Sequence, residues 1–178
     1  IIVLALKRPD FHSNGVSNTH PMVTVEYAED QLLWTPRVWY AHLVLFCLSP
    51  IRYFLTLIEL ARHTFRSGWM LPRAIYAFVK AVYLARAIRG CNVRHAHAFY
   101  AGRTADVAWI ISRLTDITYS FTGISHDIEG SYPFLEHKLA CARFVVTASE
   151  RILQIAREKS RVKDQARFHV IHTGVDPT

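Results

Sequence analysis

An α/β fold is predicted: a Rossmann-like parallel sheet with helices on both faces. Short β-rich runs at 92–97, 117–122, 143–147 and 168–172 alternate with helix-length segments at 102–114, 132–142 and 149–159, the pattern of a parallel sheet linked by helices. Several of the runs are continuously apolar, as strands buried on both faces are. The 178 residues are 51% hydrophobic and 20% charged, enough apolar material for one domain with a core. Disordered, collagen-like and low-complexity architectures are excluded.

In chain order, two further strand candidates lie at 1–6 and 22–27. A helical segment, 36–89, follows; it breaks at Ser49-Pro50 and again around 68–72, where glycine and proline interrupt the helical period. The three strand–helix pairs come next, and the last helix opens on Ser149 as N-cap with the acid Glu150 in its first turn. No internal repeat is present. The opening Ile1-Ile2-Val3-Leu4-Ala5-Leu6 has neither an initiator Met nor a basic n-region, so it reads as a fragment's start and not as a signal peptide. Cys47, Cys91 and Cys141 form no CxxC pair and leave one thiol over, which supports neither a disulfide framework nor a structural zinc site. A reducing cytosol is the expected compartment.

The net charge of +7 is concentrated in one place. Residues 31–98 hold nine basic side chains against one acid, Glu59, a net of +8, and they also hold Trp34, Trp39, Tyr40, Phe46, Tyr53, Phe54 and further aromatics. Basic and aromatic residues together point to an anionic membrane surface or a polyanion. Nucleic acid is set aside as a partner, because phosphate recognition needs little apolar surface. The eleven-residue apolar run 38–48 contains His42 and falls short of the ~20 residues needed to span a bilayer. Two readings stay open for this segment. Its helices either pack on the rest of the fold with solvated arginines, or they lie on a membrane with Arg52, Arg62, Arg66 and Arg73 at the surface.

Candidate site residues cluster where the predicted strands end, the edge at which open α/β sheets bind ligands. His95-Ala96-His97 closes one strand and leads through Phe99 and Tyr100 to Gly102. Histidines two apart on a strand point the same way, so the pair is open to three readings: metal ligands, a hydrogen-bonded pair, or a substrate-facing pair. No second ligand cluster follows at matching strand ends, and no metal is expected. Phe121-Thr122-Gly123 ends the next strand, and His126 and Asp127 follow as a base and an acid. Adjacent side chains ordinarily diverge, so Asp127 equally reads as a loop turn or helix cap. The chain closes on His172, Gly174 and Asp176. No GxGxxG, P-loop lysine motif or GxSxG elbow is present, which removes the usual signs of dinucleotide binding, P-loop chemistry and serine hydrolysis.

Taken in order, His95-Ala-His97-Ala-Phe99, Tyr119-Ser-Phe-Thr122 with His126-Asp127-Ile128, Ala142-Arg-Phe-Val-Val-Thr-Ala-Ser149-Glu150, and Val170-Ile-His-Thr-Gly174-Val-Asp176 resemble retaining nucleotide-sugar glycosyltransferases of the GT-B fold. The likeness is strongest to the family-four exopolysaccharide and colanic-acid type and covers 92–177. It implies two Rossmann-like domains facing across a cleft, of which this chain is the N-terminal, acceptor-side one without its first strand. The C-terminal donor-binding domain would lie beyond Thr178, so the fragment alone is expected to be inactive. The resemblance further implies a nucleotide-sugar donor as co-substrate with no metal or other cofactor, a lipid-linked saccharide acceptor, and a cytoplasmic, peripheral position on the inner face of the plasma membrane.

Carried over residue by residue, His97, His126 and Asp127 match the catalytic region. His95, Phe99, Thr122, Gly123, Ser149, Glu150, Gly174 and Asp176 match substrate-binding positions near the cleft. One departure stands out: Ile124 occupies the place of a histidine in the family's loop, and it can neither hydrogen-bond a sugar hydroxyl nor take a proton. That substitution keeps a second reading alive, a non-catalytic glycosyltransferase-like module docked on the membrane.

Overall fold

The structure, a computed structural model, describes residues 2–5, 24–27, 35–65, 70–130, 132 and 134–172. Strands β1 (Ile2–Ala5) and β2 (Thr24–Tyr27) pair in parallel as a separate two-stranded sheet. Three helices follow, and proline punctuates each: α1 (Pro36–Leu48), α2 (Pro50–Thr64) and α3 (Leu71–Ile88). Pro50 lacks an N–H and disfavours helical backbone in the residue before it, so α1 ends at Leu48 and Ser49 adopts φ −151°, ψ 63°. The chain turns there by 112° into α2. The remaining elements are β3 (His95–Phe99), α4 (Arg103–Thr115), β4 (Thr118–Gly123), α5 (Ser125–Glu129), α6 (Leu135–Cys141), β5 (Val145–Thr147), α7 (Glu150–Ser160) and β6 (Phe168–Val170).

Strands β3, β4, β5 and β6 form one parallel sheet in chain order. Strands paired this way through right-handed crossovers carry their connecting helices on one face. Accordingly α4 packs on β3 and β4, α7 packs on β5 and β6, and α6 touches both helices. Ala98, Tyr119, Phe121, Val145 and Phe168 point into this layer and are buried. Alternate residues point the other way, and of these His95, His97, Phe99, Thr118 and His169 are exposed. The α/β class and the Rossmann-like parallel sheet are thus present. Helices on both faces are not found among the described residues, because consecutive pairing places every connecting helix on the same side.

Helix α3 packs along α4, and α1 and α2 pack on α3 and its neighbours as an outer tier. One core runs from Leu45 and Leu60 in that tier through Ala81 and Leu84 of α3 and Trp109 and Ile110 of α4 to Phe121 and Leu153. A ring cluster stitches the tier together: Tyr53 meets Phe78 edge-on at 5.1 Å, and His42 Nδ1 lies 2.6 Å from the Tyr53 hydroxyl. Burial holds the His42 imidazole below its ordinary value.

Among the described residues Trp109 is the largest fully buried side chain, packed edge-on against Phe134 at 4.8 Å. Trp109→Ala is expected to lower stability by about 3–5 kcal/mol in urea unfolding, because the surrounding helices cannot collapse into the space left behind.

Candidate functional site

The site is built around the loop from β3 into α4. Tyr100 takes φ 76°, a conformation that non-glycine residues adopt rarely and at a cost. Two buried charged groups hold the following peptide. The Ala101 N–H donates to Asp127 Oδ2 at 3.2 Å, and the Lys138 ammonium donates to the Ala101 carbonyl. Lys138 also reaches the Gly102 carbonyl at 3.2 Å and Asp106 Oδ1 at 2.6 Å. Its own backbone carbonyl accepts from the buried Tyr119 hydroxyl at 2.8 Å, and burial pushes that phenol far above its ordinary value. Gly123 completes the packing: a Cβ there would sit 2.6 Å from Ile128 Cδ1, so the missing side chain is what lets α5 close against the end of β4.

His126 and Asp127 share the first turn of α5. The expectation that their side chains diverge is corrected, since His126 Nε2 lies 3.0 Å from Asp127 Oδ1. Asp127 is buried and gives one oxygen to His126 and the other to the Ala101 N–H, whereas 72% of the His126 side chain is exposed. The result is an oriented imidazole at the sheet edge, free to meet a hydroxyl or carry a proton. Ile124 is the N-cap residue of α5, and its carbonyl accepts from the Asp127 and Ile128 N–H groups at 3.1 Å each. Lys159 caps the far end of this short helix through the carbonyls of Ile128, Glu129 and Gly130, at 2.7, 3.0 and 2.8 Å.

His95 and His97 do not end their strand. β3 runs on to Phe99 because Ala98 and Phe99 pair with Phe121 and Thr122, which leaves the histidines at its first and third positions. Both lie on the face opposite α4 and α7 and form a hydrogen-bonded ladder with β4. His95 spans Thr118 and Ser120 at 2.7 Å each, and His97 spans Ser120 at 2.7 Å and Thr122 at 3.0 Å. Both rings stack near Phe144, at centroid distances of 5.4 and 5.9 Å. Of the three readings of the pair, the hydrogen-bonded one describes its geometry, with every ring nitrogen engaged. Phe99 and Thr122 continue this face to the sheet edge.

At the end of β5, Ser149 caps α7 by accepting from the Ile152 N–H at 3.4 Å, and Glu150 stands exposed in the first turn, as the sequence predicts. Gly174 and Asp176 lie outside the described residues. The structure therefore brings Phe99, Thr122, Gly123, His126, Asp127, Ser149 and Glu150 to one edge of the sheet. A groove lined by Thr118, Arg143 and Arg167 opens at the strands' other end, away from these residues.

Among the membrane-surface candidates, Arg62 and Arg73 are exposed, Arg66 lies outside the described residues, and Arg52 pairs with Asp116 Oδ2 at 3.1 Å. The apolar character of the outer tier is more pronounced than the arginines suggest. Trp39, Tyr40, Leu43, Leu48, Ile51, Leu55 and Ile58 are each more than half exposed, Ile51 by 73%. No single helix among the described residues is long and apolar enough to cross a membrane, but the bent pair α1 and α2 reaches that length and composition together.

Nothing in the sequence marks Lys138 or Lys159 as part of the site. A lysine predicted on a helix reads as solvated, and nothing local marks one that turns inward. No family profile matches the chain, and no curated protein matches it significantly.

Two outcomes follow for this region. Lys138→Met removes the donor for two loop carbonyls and leaves Asp106 unpaired, so stability is expected to drop by about 3–5 kcal/mol in urea unfolding. Burial, and then the charge of Arg143, holds His95 below its ordinary 6.5; burial, and then His95 itself, does the same for His97. Imidazoles depressed in the folded state stabilise it above the ordinary value and lose that contribution as pH falls through the folded values. Denaturant midpoints should therefore decline on acidification below pH 6.5, and less steeply in His95→Asn/His97→Asn.

Proposed function

We propose that this chain is the N-terminal, acceptor-side domain of a retaining GT-B glycosyltransferase of the family-four type. The enzyme would move a sugar from a nucleotide-sugar donor to a lipid-linked saccharide or polysaccharide-precursor acceptor. One observation carries this reading: the motif segments that suggest it are consecutive strands of one parallel sheet, and their chemistry-bearing residues gather where β3, β4 and β5 end. In open α/β sheets that edge is where ligands bind.

Breaking a sugar–phosphate bond develops charge on the leaving diphosphate and on an oxocarbenium-like sugar, so oriented donors matter more than a protein nucleophile. His126, fixed by Asp127 and open to solvent, is the group suited to orient an acceptor hydroxyl or the donor sugar. Asp127 acts through His126 and through the Ala101 peptide. His97, with both ring nitrogens engaged, holds the sheet face behind Thr122. Attack then proceeds from the face the diphosphate leaves, with that phosphate assisting, and retention follows. A donor-binding domain outside this chain would close the cleft and exclude water.

The outer tier supports a lipid acceptor. An apolar, aromatic surface rimmed by Arg62 and Arg73 suits a monotopic position on an anionic leaflet. Ile124 favours a second reading, a glycosyltransferase-like module that docks on the membrane without catalysis.

The test uses the full-length protein with radiolabelled nucleotide-sugars and a polyprenyl-diphosphate-linked acceptor. His126→Ala is expected to lower transfer ~100-fold or more, whereas Glu158→Gln on the exposed face of α7 leaves it unchanged. Absence of transfer with every donor, together with gain of transfer in Ile124→His, would support the non-catalytic module. Vesicle co-sedimentation should show binding to anionic over neutral lipid, weakened tenfold or more by Arg62→Glu with Arg73→Glu, since each cation near the surface is worth about 1 kcal/mol.

A further inference from the structure

We propose that the chain holds a zinc ion between α2 and α6, bound by Glu59, His63 and His137 with Cys141 as the fourth donor. This site is independent of the glycosyltransferase reading.

The spacing is the first argument. Glu59 and His63 are one turn apart on α2, and His137 and Cys141 are one turn apart on α6, so each helix presents two ligand types on one face. The fold brings the faces together: one ligand atom from each of Glu59, His63 and His137 lies within 4.8 Å of the other two. His137 Nε2 is 3.0 Å from Glu59 Oε1 and 3.5 Å from Cys141 Sγ. Tetrahedral zinc with ligand bonds of about 2.0 Å to N or O and 2.3 Å to S sets its donors roughly 3.3–3.5 Å apart, and the His137–Glu59 and His137–Cys141 separations are already near that size.

The surroundings fit as well. Arg113 Nη2 holds the other carboxylate oxygen, Glu59 Oε2, at 3.1 Å, which fixes the carboxylate with Oε1 toward the histidines. The His63 and His137 rings lie 4.5 Å apart, so their positions are mutually constrained. Glu59, His63 and His137 are half-buried along an open groove, which gives an ion access. A carboxylate, two imidazoles and a thiol select zinc over magnesium or calcium, which prefer all-oxygen sites. The histidine pair that the sequence offered as a metal motif is a poorer candidate, since its ring nitrogens already meet hydroxyls. The sequence offers no CxxC pair, and the donors proposed here come from helices far apart in the chain. Bound zinc would fasten the apolar outer tier to the sheet's own helix layer.

The experiment is equilibrium dialysis of the chelator-treated full chain against zinc alone, with elemental analysis. One equivalent per chain is expected, weakened at least tenfold by His63→Ala and by Cys141→Ser and unchanged by His95→Ala. Cobalt in place of zinc should give a tetrahedral absorption spectrum whose thiolate charge-transfer band disappears in Cys141→Ser. Zinc should raise the melting temperature of the native chain and not that of His63→Ala, a comparison that holds even where a variant is less stable. No bound zinc in the native chain, equal affinity in His63→Ala, or a cobalt spectrum unaltered by Cys141→Ser would overturn the assignment.

Discussion

The peptide at Ala101 is held from both ends by buried charges, and the shape of the sheet edge depends on that clamp. Its N–H goes to Asp127, its carbonyl goes to Lys138, and the two side chains come from different helices, α5 and α6. Burying an ammonium and a carboxylate is costly unless each finds several partners. Lys138 finds the Ala101 and Gly102 carbonyls and Asp106, and Asp127 finds the Ala101 N–H and His126. The positive φ at Tyr100 persists because this network over-determines the loop that follows. What emerges at the surface is one oriented imidazole, His126, at the edge where β3 and β4 end.

A second constraint comes from strand order. Consecutive parallel pairing puts α4 to α7 on one side, which leaves the ladder of Thr118, His95, Ser120, His97 and Thr122 on the other. The polar groups of that face are satisfied by each other, so the face is stable without a covering helix among the described residues. The apolar surplus of the molecule lies instead at the outer tier, where α1 and α2 turn large side chains outward. The histidine-bearing face of the sheet and the apolar outer tier are different surfaces, suited to different partners.

Much of this was legible in the sequence, for local reasons. Pro36, Pro50 and Pro72 mark where α1, α2 and α3 begin, and Ser149 caps α7, because proline and N-cap residues act within one turn. The strand ends were less legible. β3 runs two residues past its predicted end, since pairing with β4 decides its length and pairing is not local. α5 falls on residues read as a loop; five residues hold helical form there because Lys159, some thirty positions later, takes the carbonyls at its end. The inward turn of Lys138 and the meeting of Glu59 and His63 with His137 are likewise products of tertiary packing, and the sequence carries only their one-turn spacings.

The proposed saccharide-acceptor site is the edge formed by the ends of β3, β4 and β5. The most direct measurement is an amide nuclear magnetic resonance titration of the labelled chain with a short-chain polyprenyl-diphosphate-linked saccharide. Shift changes are expected at residues 99–102, 122–127 and 149–150, with the His126 imidazole among them. Changes confined to the groove around Arg143 and Arg167 at the opposite end of the strands, or no saturable change at all, would contradict it.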